Sequence, residues 1–314
     1  MRDDDVPITT TRGVRETTGS TGGLARAVRT GALERLRRGA YAETNDLAGL
    51  GDAARHRLLV RAARLAAFGS EPVFSHESAA ALHGIPIIGA WPGAVAVTSV
   101  HGGRRGPVER FRRPLAECEI VVTPDGTHCT SLARTAADLA ARRTLLGGIA
   151  AMSHARFRGV STTELEETLA ALGLVTGIGR ARLALARSTA GSESVLETLV
   201  MVRCQDYGFQ PPEQQHEHIG SDGRIYRVDF AWDGGRILLE ADGRAKYADP
   251  SLRGERTAEE VLWAQKRRED ALQAGCERFL RVTWVDAWHG RELARRLDTA
   301  GVPRTGRPNS ALTF

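Results

Sequence analysis

In this 314-residue chain the segment Arg224 to Gly243 carries the side chains whose types and spacing best suit chemistry. Two runs of strand-forming residues flank Asp233-Gly234-Gly235-Arg236, and Gly-Gly between such runs marks a hairpin. A turn centred on Gly234 and Gly235 sets Val228 opposite Ala241, Phe230 opposite Leu239 and Trp232 opposite Ile237, a wholly apolar face. The other face then carries Arg227 against Asp242 and Asp229 directly against Glu240. Opposed residues bring their Cβ atoms to about 4.5–5.5 Å, where two anions repel unless positive charge lies between them. A divalent ion supplies it. Magnesium takes a few carboxylate oxygens and keeps its waters, and such an ion activates water for attack on a phosphodiester and stabilises the developing charge. The alternative is a solvated outer face relieved by Arg227.

The flanking segments supply the elements that must position this pair. Ser194-Val195-Leu196-Glu197 opens a helix. Thr257 with Glu260 starts another, which runs to about Ala274, stops at Gly275 and carries Lys266, Arg267 and Arg268 in its middle; Leu280 to Trp284 follows as a strand. This order, from Ser194 to Trp288, resembles the PD-(D/E)XK nuclease domain of the short-patch mismatch-repair endonuclease kind. The resemblance implies a restriction-endonuclease-like mixed sheet flanked by helices, with Asp229 and Glu240 holding Mg2+ or Mn2+ and Glu197 as a third or outer carboxylate. It also implies DNA as the partner, with Lys266, Arg267 and Arg268 near its backbone. The chain departs from that pattern where a lysine should follow Glu240 by two: Asp242 stands there. Either another cation such as Lys246 or Lys266 replaces it or the chemistry is weakened, and the candidate catalytic set is Asp229, Glu240, Asp242, Lys246 and Glu197. Glu197, three residues after Ser194, equally completes a capping box. The basic cluster equally reads as a solvated face balanced by Glu269 and Asp270.

Near the N-terminus, Leu24, Ala27 and Val28 fall at helical spacing after Thr21, a plausible N-cap, with Arg26 and Arg29 on the polar side. Leu33 and Leu36 among charged residues, closed by Gly39, suit a small β-wing. The run Gly31 to Tyr41 resembles the basic ending of the winged-helix domain in AbiEi-like type IV antitoxins, and Phe74 to Gly84 resembles the body of the same family. That resemblance implies operator DNA contacts at Arg26, Arg29, Arg35, Arg37 and Arg38, and a cognate toxin or a homodimer as partner. A packing module with a solvated arginine face is the plainer reading.

The middle of the chain reads as helices over Arg55 to Phe68, Ala79 to His83, Ser131 to Ala141 and Leu145 to Arg156, with strands at Val95 to Thr98 and Glu119 to Val122. Ser161 to Glu164 has capping-box spacing, and Arg180 to Arg187 continues as a helix. His76 and His83, seven apart without a third ligand, read as cap or core residues. Arg104, Arg105, Arg110, Arg112 and Arg113 read as a basic loop.

Together these segments predict an α+β protein: a winged helix over 1–45, a mixed α/β middle domain over 46–187, an endonuclease-like domain over 192–300 and a disordered tail over 301–314. Composition agrees with a globular chain, at 42% hydrophobic and 26% charged residues, and excludes fibre and disorder. Lys and Arg outnumber Asp and Glu by 43 to 38, and almost all of the positive charge is Arg, which suits phosphate contacts. Cys118, Cys129, Cys204 and Cys276 are dispersed without metal or disulfide spacing. No apolar leader and no long apolar run is present, so a cytoplasmic protein is expected. The leading function is metal-dependent hydrolysis of DNA. The second is a transcriptional regulator whose nuclease fold has weakened or lost catalysis, and the third is a protein-interaction partner in a toxin system.

Overall fold

The computed structural model describes residues 6–67, 71–99, 108–242 and 258–307. Lys246, Gly243, Thr257, Arg104, Arg105 and residues 308–314 lie outside the described residues. The chain divides into two compact units, Met1–Ala186 and Arg187–Phe314, and its helices and sheets make it an α+β protein.

The first unit begins with β1 (Thr9–Thr10), α1 (Thr11–Thr18), α2 (Gly22–Arg29) and the hairpin β2 (Leu33–Arg37) to β3 (Ala40–Glu43), in a small sheet of order β1-β3-β2. Two short helices followed by a hairpin thus make up this N-terminal segment. Thr21 precedes α2 but makes no side-chain cap bond, whereas Thr10 caps α1 by accepting the Gly13 N–H at 3.0 Å. Beyond α3 (Thr44–Leu47) lies α4 (Asp52–Leu65), whose Leu58 shares a core with Val6, Ala42 and Leu47. The N-terminal segment and the middle region fall within one compact unit.

A five-stranded sheet follows, in the order β6-β5-β4-β8-β7, from β4 (Val73–Phe74), β5 (Val95–Ser99), β6 (Val108–Arg112), β7 (Ile120–Val122) and β8 (His128–Thr130). Arg110 and Arg112, expected in a loop, belong to β6, which pairs in parallel with β5. The helices of this region are α5 (His76–His83), which packs on β5 and β8, then α6 (Leu132–Arg142), which packs with α5, α7 (Leu145–Phe157) and α8 (Thr162–Leu172), and α9 (Ile178–Arg187). Ser131, Thr144 and Ser161 cap α6, α7 and α8 through their hydroxyls.

The second unit is built on β9 (Glu213–Ile219), β10 (Ile225–Trp232), β11 (Ile237–Ala241) and β12 (Arg278–Val282), in the order β12-β11-β10-β9. Only the β11–β12 pair is parallel, because α11 (Ala258–Gly275) separates the two strands in the chain. Helices α10 (Val195–Asp206), α12 (Trp284–His289) and α13 (Arg291–Ala300) pack with one another. The tail departs from the expectation of disorder over 301–307. Val302 is buried, Arg304 bridges to Phe209 and donates to the Tyr207 carbonyl at 2.5 Å, and its guanidinium pairs with Asp298. Apolar burial and charge-assisted bonds offset the ordering entropy that composition alone leaves uncompensated.

Candidate active site

The hairpin register is the one its glycines dictate: Phe230 pairs with Leu239, Ala231 with Leu238 and Trp232 with Ile237. The connection is a 3-10 turn over Asp233–Gly235, with Asp233, Gly234 and Gly235 all at positive φ. One position beyond Phe230 and Leu239 come Asp229 and Glu240. On the outer flanks, continuation of the β9–β10 register sets Gln215 beside Asp229, and the parallel register sets Arg281 beside Glu240. Gln215, Asp229, Glu240 and Arg281 thus form one transverse row across all four strands. All four line a cleft of about 520 Å³, together with Glu193, Tyr226, Asp242, Gln265, Arg268 and Glu269.

The carboxylate face is not a solvated outer face. Ala231 and Leu238, which share its parity, are buried and pack with Leu272 of α11. Helix α11 covers that end of the hairpin and leaves the carboxylates at its margin. Asp229 Oδ2 accepts the Ala241 N–H across the strand pair at 2.8 Å, which fixes the carboxylate toward Glu240. Arg268 donates to Glu240 Oε1 at 2.5 Å and to the Arg227 carbonyl at 2.7 Å. Arg281 stands 3.0 Å from Glu269 and 3.7 Å from Asp242. Arg227, expected against Asp242, instead meets Glu193 at 2.8 Å and pairs across the sheet with Glu217. The cation bonded to Glu240 is Arg268, from helix α11, while Arg227 lines the same cleft and is paired with Glu193.

The basic cluster of α11 divides accordingly. Arg268 enters the cleft, while Lys266 and Arg267 are exposed and Lys266 lies 5.6 Å over the Trp263 ring. Lys266 is not among the residues lining the cleft, where Arg268 stands beside Glu240.

Glu197 is a cap before it is anything else. Its N–H donates to Ser194 Oγ at 3.1 Å, and its carboxylate accepts from Ser194 Oγ at 2.7 Å and from the Glu193 N–H at 2.9 Å. Gln215 Nε2 donates to it as well, at 2.9 Å. With both oxygens so engaged, Glu197 reaches the cleft through Gln215, which itself sits at a positive φ of 56°. Burial pushes the Glu197 carboxyl above its usual range and the Asp229 charge adds to this, against the opposing Ser194 and Glu193 hydrogen bonds.

Among the described residues no three His, Cys, Asp or Glu side chains gather as a metal-binding group. The cleft is lined by the carboxylates of Glu193, Asp229, Glu240, Asp242 and Glu269 with the amides of Gln215 and Gln265 beside them, hard oxygens of the kind Mg2+ or Mn2+ accepts while keeping most of its waters. Asp229 and Glu240 fit such an ion on that chemistry. His76 and His83 serve separate places: His83 Nε2 meets the Thr130 carbonyl at 2.7 Å, while His76 lies buried against Phe111.

In the N-terminal segment, Arg26, Arg29, Arg35 and Arg38 are exposed on α2 and the hairpin. Arg37 departs from the expected set: it turns toward the unit, its Nε is buried without a hydrogen-bond partner among the described residues, and burial lowers its pKa. The sequence reading missed Gln265, Arg281 and Gln215. Gln265, Arg268, Glu269 and Leu272 fall at i, i+3, i+4 and i+7, a spacing that carried the signal for a shared helix face.

No family model matches the chain. It is similar to two proteins of Mycobacterium tuberculosis, Uncharacterized protein Rv2248 of strain ATCC 25618 / H37Rv and Uncharacterized protein MT2308 of strain CDC 1551 / Oshkosh. Each is 30% identical over 103 residues, 33% of this chain and 37% of theirs. The matched region thus spans little more than a third of the length of those curated relatives.

Proposed function

We propose that the Arg187–Phe314 unit is a metal-dependent endonuclease that hydrolyses DNA phosphodiesters at the Asp229–Glu240 cleft, with the winged helix as a second DNA contact. The observation that carries this reading is the row of Asp229 and Glu240 on neighbouring strands, held by Ala241 and Arg268, in one open cleft flanked by Arg281. Bound there, Mg2+ or Mn2+ would supply an activated water and positive charge for the departing oxygen. Asp229 and Glu240 would hold the ion. Arg268 orients Glu240, Arg281 brings a guanidinium suited to a phosphate oxygen, and Lys266 and Arg267 on the exposed flank of α11 attract the backbone by charge. Arg26, Arg29, Arg35 and Arg38 do the same for the winged helix.

The test is cleavage of supercoiled and mismatched DNA with Mg2+ or Mn2+, comparing the parent protein with Asp229→Ala and Glu240→Ala. Metal-dependent cutting that disappears in both variants is the expected result. A second reading, a DNA-binding regulator of antitoxin type whose nuclease fold no longer cuts, draws support from Arg268 closing on Glu240 and from Asp242 in the lysine position. Absence of cutting with DNA binding retained in all three proteins would decide for it.

A further inference from the structure

A separate pocket of about 350 Å³ opens within the Met1–Ala186 unit, walled by His76, Phe111, Arg113, Asp138, Arg142 and Arg180. That volume lies in the range of small-molecule sites. Asp138, only 4% exposed, gives Oδ1 to the Arg134 Nε–H at 3.1 Å, but its buried Oδ2 has no hydrogen-bond partner among the described residues. A buried carboxylate oxygen without a donor is costly and rare, and a ligand donor is one way of satisfying it. His76 does not serve. Its Nδ1 is 4.0 Å from Oδ2 and 3.0 Å from Ser75 Oγ, and burial with nearby Arg142, Arg134 and Arg113 lowers its pKa to about 3, so the ring is neutral. Stacked at 3.6 Å on Phe111, it forms a flat wall instead.

The cations of the pocket are unequally committed. Arg142 grips Glu109 through two bonds of 2.9 and 3.0 Å and lies 3.5 Å from Glu77. Arg113 donates only to the Leu172 carbonyl, at 3.5 Å, and Arg180 only to the Ala141 carbonyl, at 2.5 Å, among the described residues. Gly177 makes the latter seat possible: a Cβ there would fall 2.0 Å from the same Ala141 oxygen. Most of the five donors of each guanidinium remain available.

We propose that this pocket binds a small hydroxycarboxylate, its carboxylate between Arg113 and Arg180 and its hydroxyl donating to Asp138 Oδ2. A hydroxyl suits the site better than an ammonium group, since the lining carries three guanidinium groups against one carboxylate. The test is isothermal titration calorimetry of the full chain at neutral pH with L-malate, succinate and L-aspartate, dicarboxylates that differ only in a hydroxyl, a hydrogen or an ammonium at one carbon. L-malate is expected to bind roughly tenfold or more tighter than the other two, the difference one hydrogen bond to a charged group makes. Arg180→Ala, with folding checked by circular dichroism, should weaken L-malate by a similar factor. Equal affinity for L-malate and succinate, tighter binding of L-aspartate, no binding of any of the three, or an unchanged affinity in Arg180→Ala would each overturn the proposal.

Discussion

Arg268 and Asp138 show how single side chains decide what a buried charge does. Arg268 gives Glu240 a cation that would otherwise have to come from a lysine two residues on, and it does so from a helix face that also carries Gln265. Arg268→Ala is expected to lower DNA cleavage by roughly 10²-fold while leaving Mn2+ binding by calorimetry intact, since a guanidinium aimed at the site acts electrostatically. A fall in thermal stability alone, with the rate unchanged, would reduce Arg268 to a structural residue. Asp138 and His76 pull in opposite directions with pH. Burial raises Asp138 from 3.8 to about 6, so its contribution to stability is complete at low pH and is lost as pH rises through about 6. His76 is lowered from 6.5 to about 3, so its contribution is present above 6.5 and lost as pH falls through about 3. The lowered values of His56, His83 and His154 add to that acid loss. Asp138→Asn removes the opposing slope. Its stability should therefore fall more steeply than the parent's between about pH 6 and pH 4, by up to roughly 1.4 kcal/mol per pH unit. Urea midpoints at several pH values measure this, and parallel curves would refute it.

At the scale of elements, the hairpin between β10 and β11 carries the most information, because its turn fixes which side chains meet. Gly235 stands at a φ of 91°, and a Cβ there would come within 2.9 Å of the His216 and His218 rings, whereas Gly234 has open space around it at a φ of 63°. Gly235→Ala is expected to cost about 1–3 kcal/mol of stability and Gly234→Ala only about 1 kcal/mol; denaturant midpoints of the two variants should differ accordingly. This register was legible in the sequence because glycines and alternation act locally. The helices α4 to α9 were legible for the same reason, through caps and period. β9 was not: Glu213 to Ile219 is largely polar, and it becomes a strand only through its pairing with β10. Helix α1, with no buried residue, likewise gave no apolar stripe. The cations of the cleft were hidden because Arg268, which bonds Glu240, and Arg281, its neighbour in register, lie far along the chain, and parallel pairing of β11 with β12 is a non-local choice that pattern alone does not specify.

For the whole molecule, the division into Met1–Ala186 and Arg187–Phe314 has a thermodynamic consequence. Each unit has its own buried core, one around Phe74, Val97 and Cys129, the other around Val228, Leu238 and Leu272. Chains with separate cores depart from two-state unfolding, and a ligand raises the stability only of the unit that binds it, by RT ln(1 + [L]/Kd). The two proposed sites fall in different units. Differential scanning calorimetry should therefore resolve two transitions, and Mn2+ should raise one of them while L-malate raises the other. At a ligand concentration of about 100 Kd the shift corresponds to roughly 2.7 kcal/mol, which is a few degrees for units of this size. Asp229→Ala should remove the Mn2+ shift without touching the L-malate shift, and Arg180→Ala the reverse. If both ligands moved one and the same transition, the units would be unfolding as a single cooperative body, and the two sites would be coupled through it rather than independent.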